Sequence, residues 1–225
     1  MSRLDLKFLS VTWTLREVIY IRILTITLAE ATVSIADLKF YPFNNPPNSE
    51  QQITLYPHRD SNNIWRVLNA TADVDHELDW QSQPLVYIKP HMRVKLRHIE
   101  TDKALHSHDV RPPVSDVDFQ NEVSAYGMAG FQGDMNDDWY VEIEKGDNRD
   151  RESSSRLRTL RTHFRLRHAL TGCYLFSHKV KLPDWGWEQQ EVTCNKNAVR
   201  DNSLWFVETS THPLCQSPCS FPCWR

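Results

Sequence analysis

The sequence predicts an all-β fold, a β-trefoil made of three copies of one unit, and three observations carry that reading. Val94-Lys-Leu-Arg-His-Ile-Glu-Thr-Asp-Lys-Ala-Leu-His-Ser-His108 aligns without a gap with Phe164-Arg-Leu-Arg-His-Ala-Leu-Thr-Gly-Cys-Tyr-Leu-Phe-Ser-His178, 70 residues further on. A second half-motif occurs three times: Gln52-Ile-Thr-Leu-Tyr leads to Trp65, Glu122-Val-Ser-Ala-Tyr to Trp139, and Glu191-Val-Thr-Cys to Trp205. Within these segments apolar and polar residues alternate with period two, Val94/Leu96/His98 and Phe164/Leu166/His168 against Lys95/Arg97 and Arg165/Arg167, which is the pattern of a half-buried strand.

Each unit is then read in order. The first strand ends at a histidine, and Thr101-Asp102 or Thr171-Gly172 turns the chain into a second strand. A loop of roughly ten to fifteen residues follows. The unit closes on a strand pair whose last member begins with the tryptophan, announced by asparagine and aspartate at Asp60–Asn63, Asn136–Asp138 and Asp201–Asn202. No convincing amphipathic helix follows residue 30. Three all-β units are too few for a propeller, so closure around one axis is the simplest way to bury their apolar faces. The expected domain covers 32–213, with repeats at about 32–83, 84–150 and 155–213. Residues 1–31 stay unassigned and 214–225 form a Cys/Pro-containing tail.

Composition bounds the function. The chain of 225 residues has 26 Lys+Arg against 29 Asp+Glu and a net charge of −3, so no global basic field exists to hold a nucleic acid backbone. No stretch reaches the roughly 20 apolar residues of a bilayer span; the best candidate, Val18–Ile35, carries Arg22 and Glu30. Five cysteines leave one thiol over in a monomer, and Cys173 and Cys194, both in the third unit, are candidates to pair in an oxidising compartment.

Leu105-His-Ser-His108, Glu122-Val-Ser-Ala-Tyr-Gly127, Gly133-Asp-Met-Asn-Asp-Asp-Trp139 and Leu182-Pro-Asp-Trp-Gly-Trp-Glu-Gln-Gln-Glu-Val-Thr-Cys194 together resemble the MIR domain of the fungal dolichyl-phosphate-mannose protein O-mannosyltransferases. The resemblance runs from about Thr32 to Pro213. It implies a β-trefoil, a place in the lumen of the endoplasmic reticulum, no cofactor, and a non-catalytic role in recognising acceptor protein, glycan or a partner O-mannosyltransferase subunit. In that family catalysis depends on an Asp-Glu pair in an early luminal loop, and no Asp-Glu dipeptide occurs in this sequence; the chain alone is expected to be inactive, with no catalytic residue. Two further readings stay open: a fragment of such a mannosyltransferase, which transfers mannose to Ser or Thr of proteins, and a free-standing luminal MIR protein that works beside chaperones. The first repeat departs from the family, because Thr32–Ile35 lacks the Leu-His-Ser-His pattern.

Candidate ligand-binding residues are His106, Ser107, His108, Ser177 and His178 of the two hairpins, with imidazole and hydroxyl as donors, and Trp185 and Trp187, in a loop confined to the third unit beside Asp184 and Glu188. His106 and His108 leave the same strand face and with His178 could line one pocket, but their spacing falls short of a metal site and none is expected. Trp65, Trp139, Trp205, Gln52, Glu122 and Glu191 are read as structural residues of the repeat, and His98 and His168 as hydrogen-bonded core. The arginines from Arg156 to Arg167 are read as a solvated face neutralised by acidic neighbours. Asn69-Ala-Thr71 is an N-glycosylation acceptor sequence in an expected loop.

Overall fold

The computed structural model describes residues 19–21, 23–25, 32–35, 51–56, 61–70, 87–115, 120–127, 133–144, 155–158, 162–197 and 201–207. The first unit holds β1 (Ile19–Ile21), β2 (Ile23–Thr25), β3 (Thr32–Ile35), β4 (Gln51–Tyr56) and β5 (Trp65–Asn69). The second holds β6 (Arg93–His98), β7 (Ala104–Ser107), β8 (Gln120–Tyr126) and β9 (Trp139–Ile143), and the third β10 (Phe164–His168), β11 (Tyr174–Lys181), β12 (Gln190–Asn195) and β13 (Trp205–Val207). Among the described residues the only helical pieces are short 3-10 turns.

Antiparallel pairing closes a barrel: β1 with β5, β5 with β6, β6 with β9, β9 with β10, β10 with β13, and β13 with β2. The remaining strands form three hairpins, β3–β4, β7–β8 and β11–β12. Their second strands then pair with one another in a triangle, β4 with β8, β8 with β12 and β12 with β4. With β1 and β2 together taking the place of one strand, this is a six-stranded barrel capped by a triangle of hairpins, which is a β-trefoil. Its core holds Trp65, Trp139 and Trp205, each at most 1% exposed, packed with Leu55, Val94, Leu96, Leu105, Leu166 and Leu175. Complete burial leaves these indoles no free face for a sugar.

The register shows the equivalence of the units. Trp65 stands opposite His98 and Trp139 opposite His168, and Trp205 stands opposite Thr25. On the other side, Ile21 faces Trp65, Val94 faces Trp139 and Phe164 faces Trp205. Ile21 and Ile23–Thr25 therefore fill the register of Val94 and Leu96–His98, and of Phe164 and Leu166–His168. The sheet begins ahead of residue 32, where the sequence reading placed the domain's start, because without β1 and β2 the barrel would keep open edges at β5 and β13.

The first hairpin is present as well. β3 pairs with β4 from Thr32↔Tyr56 to Ile35↔Ile53, matching Ala104↔Tyr126 to Ser107↔Val123. What the first unit has lost is the histidine chemistry, since Ser34 holds the register of His106. A disulfide joins Cys173 to Cys194, both fully buried. The tail cysteines Cys215, Cys219 and Cys223 lie outside the described residues.

Candidate functional site: a histidine–carboxylate network

The second and third hairpins carry their histidines on or just beyond the first strand and their glutamates on the triangle strand. In the second unit His106 and His108 sit two apart on and just beyond β7, so both rings leave one face, and His106 Nε2 lies 3.1 Å from His108 Nδ1. His106 Nδ1 is 2.8 Å from Asp137 Oδ1, and His108 Nε2 is 3.3 Å from Glu122 Oε1. The Tyr126 ring packs on His106 at 4.9 Å. The result is an unbroken line, Asp137–His106–His108–Glu122, in which all but His108 are more than nine-tenths buried.

Asp137 is held by a local device. It ends the 3-10 turn Met135–Asp137, whose capping box has the Asp134 amide donating to Asp137 Oδ2 at 2.8 Å and the Asn136 amide donating to Asp134 Oδ1 at 2.7 Å. Gly133, at φ +86°, leaves no room for a Cβ against the Asp137 carboxylate. The Lys95 ammonium lies 2.6 Å from Asp138 Oδ1 and 3.9 Å from Asp137 Oδ2. Ligand-type atoms of His106, Asp134 and Asp137 come within 4.8 Å of one another, but both carboxylates are engaged in the capping box and a lysine cation already stands beside them.

In the third unit Phe176 occupies the register of His106, and its ring centroid lies 5.5 Å from that of His178. His178 Nε2 lies 3.4 Å from Glu191 Oε2 and 3.4 Å from Ser115 Oγ. Glu191 is fully buried and also accepts from the amides of Val114 at 2.9 Å and Ser115 at 3.0 Å. Burial pushes its carboxyl up, but the bonds from His178, Ser115 and Val114 and the His178 charge outweigh this and hold it below the usual range. Ser115, His178 and Glu191 do not form a nucleophilic triad: hydroxyl and carboxylate approach the same ring nitrogen, so the imidazole cannot pass a proton from one to the other.

The pairing of charge follows the units. Glu122 and Glu191 are carboxylates where a histidine faces them. The first unit, whose Thr32–Ile35 strand has no histidine, carries the neutral amide of Gln52 at the same register; its Nε2 donates to Ile53 O at 2.8 Å.

The sequence-derived candidates divide accordingly. His106 and His108 come together, whereas His178 meets Glu191 and Ser115. Ser107 and Ser177 are fully buried with hydroxyls donated to Glu122 O and Asn202 O, which turns them inward from any ligand. Trp187 is 46% exposed in the left-handed backbone region at φ 51°; the side chain of Trp185 lies outside what is described. Asn69 closes β5 opposite Val94 rather than standing in a loop, because the β5–β6 ladder extends to it. His98 and His168 are core residues as expected, each bonded to a threonine, Thr101 or Thr171, and to a turn carbonyl, Asn62 or Asn136. The arginines are less solvated than expected: Arg158 is 9% exposed, while Arg167 does pair with Glu142 at 2.6 Å. Asp137 and Tyr126 were missed, since 31 residues of chain separate Asp137 from His106; the recurrence of Asn63, Asp137 and Ser203 two residues before each tryptophan was the available signal.

Comparison with known proteins places the chain. The MIR domain family matches residues 36–215. Dolichyl-phosphate-mannose–protein mannosyltransferase 1 of Saccharomyces cerevisiae is 49% identical over 179 residues, 79% of this chain and 21% of that protein. Its namesake from Candida albicans is 44% identical over 172 residues, 76% of this chain and 19% of that protein. The chain thus spans about a fifth of these relatives' length. Among solved structures, the S. cerevisiae protein O-mannosyltransferase Pmt1–Pmt2 complex bound to the sugar donor superposes with a TM-score of 0.76 at 40% identity, covering 93% of this chain and 27% of that one. The SDF2-like protein from Arabidopsis thaliana, at TM-score 0.69 and 24% identity over 90% of this chain and 97% of that one, shares the fold. The trefoil, its repeated histidine–carboxylate hairpins and these likenesses agree: this chain belongs to the MIR domain family.

Proposed function

We propose that this chain is a recognition module of the protein O-mannosyltransferase type, acting in the lumen of the endoplasmic reticulum by binding acceptor protein, glycan or a partner subunit without itself transferring sugar. The observation that carries the reading is the MIR family match over residues 36–215, on a trefoil that covers about a fifth of the mannosyltransferases it resembles. The buried Cys173–Cys194 disulfide supports an oxidising compartment. His108, His178 and the exposed Trp187 are the side chains offered to a ligand, with imidazole nitrogens as donors or acceptors and an indole face for stacking.

The same coverage supports a second reading, in which the chain is one portion of a dolichyl-phosphate-mannose–protein mannosyltransferase and serves that recognition role within it. Titration of the isotope-labelled chain with a Ser/Thr-rich peptide, and separately with its O-mannosylated form, tests the recognition role. Binding shifts the resonances of His108, His178 or Trp187; signals unchanged at millimolar ligand would contradict it.

A further inference from the structure

We propose that the first hairpin, β3–β4, opens as a unit while the rest of the trefoil stays folded. Three comparisons between equivalent positions carry this. The first concerns the tie from barrel to hairpin. Trp139 Nε1 donates to Leu105 O at 2.9 Å and Trp205 Nε1 to Leu175 O at 3.1 Å, each carbonyl lying on the first strand of a hairpin. Val33 holds the register of Leu105 and Leu175. Trp65 Nε1 is nevertheless buried, on a residue 1% exposed, and finds no acceptor among the described residues.

The second concerns the joints around the triangle. Gln52 stands opposite Ser124, Glu122 opposite Thr193 and Glu191 opposite Thr54, so each hairpin presents a hydroxyl residue to the hairpin before it in the ring. Thr193 Oγ1 donates to Gln120 Oε1 at 2.8 Å, and Thr54 Oγ1 donates to Gln189 Oε1. At the joint between the first and second hairpins, Ser124 Oγ and Gln52 Oε1 are both buried and neither has a partner among the described residues. The Gln52 amide is held in that orientation by its own Nε2, which donates to Ile53 O at 2.8 Å. The third concerns cross-links. His106 lies 2.8 Å from Asp137, which binds the second hairpin to the turn before Trp139, and the Cys173–Cys194 disulfide closes the third hairpin. Thr32–Ile35 carries neither histidine nor cysteine, and Gln51–Tyr56 carries no acid.

A buried donor or acceptor without a partner regains hydrogen bonds to water when it is exposed. The first hairpin therefore gives up least and regains most on leaving, which is the imbalance that produces a local opening at a free energy below that of global unfolding. Opening uncovers the flanks of β8 at Ser124–Ala125 and of β12 at Gln190–Glu191, where β4 pairs in the closed fold.

The test is hydrogen exchange followed by NMR on the full chain at several low urea concentrations. The Trp65 indole N–H and the β4 amides are expected to exchange through one shared opening, with an opening constant at least about tenfold larger than that of the Trp139 and Trp205 indoles. That opening should also depend less on urea, because it exposes less surface than global unfolding does. Three indoles sharing one opening constant, or Trp65 exchanging slowest, would overturn the proposal. Trp139→Phe, which removes the tie to Leu105 O, is expected to speed exchange of the β7–β8 amides toward the rate of the first hairpin; unchanged rates there would contradict the role given to the tie. The wild-type rates decide the proposal even where the variant fails to fold.

Discussion

The Trp139 indole lies 5.0 Å from the His168 imidazole at an interplanar angle of 58°, and Trp65 meets His98 at 5.2 Å and the same angle. Trp139 Nε1 donates to Leu105 O and Trp205 Nε1 to Leu175 O, at 2.9 and 3.1 Å. Each of these indole bonds ties the barrel to the first strand of a hairpin, so loss of the ring removes both core volume and a tie. Trp139→Ala is expected to cost about 3–5 kcal/mol, read as a lowered urea midpoint. A cost below 1 kcal/mol would show that the barrel does not depend on this contact.

The matching of buried carboxylate to histidine gives a second expectation. Gln52→Glu places a charge at a 4% exposed site in the hairpin whose first strand, Thr32–Ile35, carries no histidine. The substitution is expected to destabilise by on the order of 3 kcal/mol at pH 7, with part of the loss recovered in acid as the new carboxyl protonates. An unchanged unfolding midpoint at pH 7 would contradict the charge-matching account.

Acid should destabilise the fold in two windows. Burial holds the His168 imidazole below its ordinary 6.5, so the unfolded state binds the proton more readily and stability falls as pH drops from there toward the folded value. Glu191, held below its ordinary 4.5, contributes stability that is complete above that value and is lost as pH falls through the folded one. Urea midpoints between pH 7 and 3 should fall in both windows. His168→Gln should flatten the upper window and Glu191→Gln the lower one.

Cys173 and Cys194 close a loop with a sequence separation of 21, for which chain entropy predicts about 3 kcal/mol. The Cys173→Ala/Cys194→Ala double variant should melt several degrees lower. Full burial of both sulfurs should also protect the bridge from reductant until the chain unfolds. Rapid reduction under native conditions would contradict the packing described.

Much of this was legible in the sequence, and the residues show why the rest was not. The period-two runs ending at His98 and His168, and the Asn/Asp turns before Trp65, Trp139 and Trp205, are local signals, and each led to the element it announced. Ile21-Arg-Ile-Leu-Thr25 carries the same alternation as Val94–His98, but its apolar setting reads equally as a leader or a failed span. It also lacks the Thr-Asp or Thr-Gly turn that marks the other two units. The links from His106 to Asp137 and from His178 to Ser115 are matters of long-range packing and have no local pattern.

The central claim is recognition without sugar transfer. The most direct measurement incubates the purified chain with radiolabelled dolichyl phosphate mannose and a Ser/Thr-rich peptide, and follows peptide binding and peptide labelling in one sample. The account predicts saturable binding, weakened by His108→Ala, with no label on the peptide. Incorporation of mannose by this chain alone, abolished by denaturing it, would contradict it.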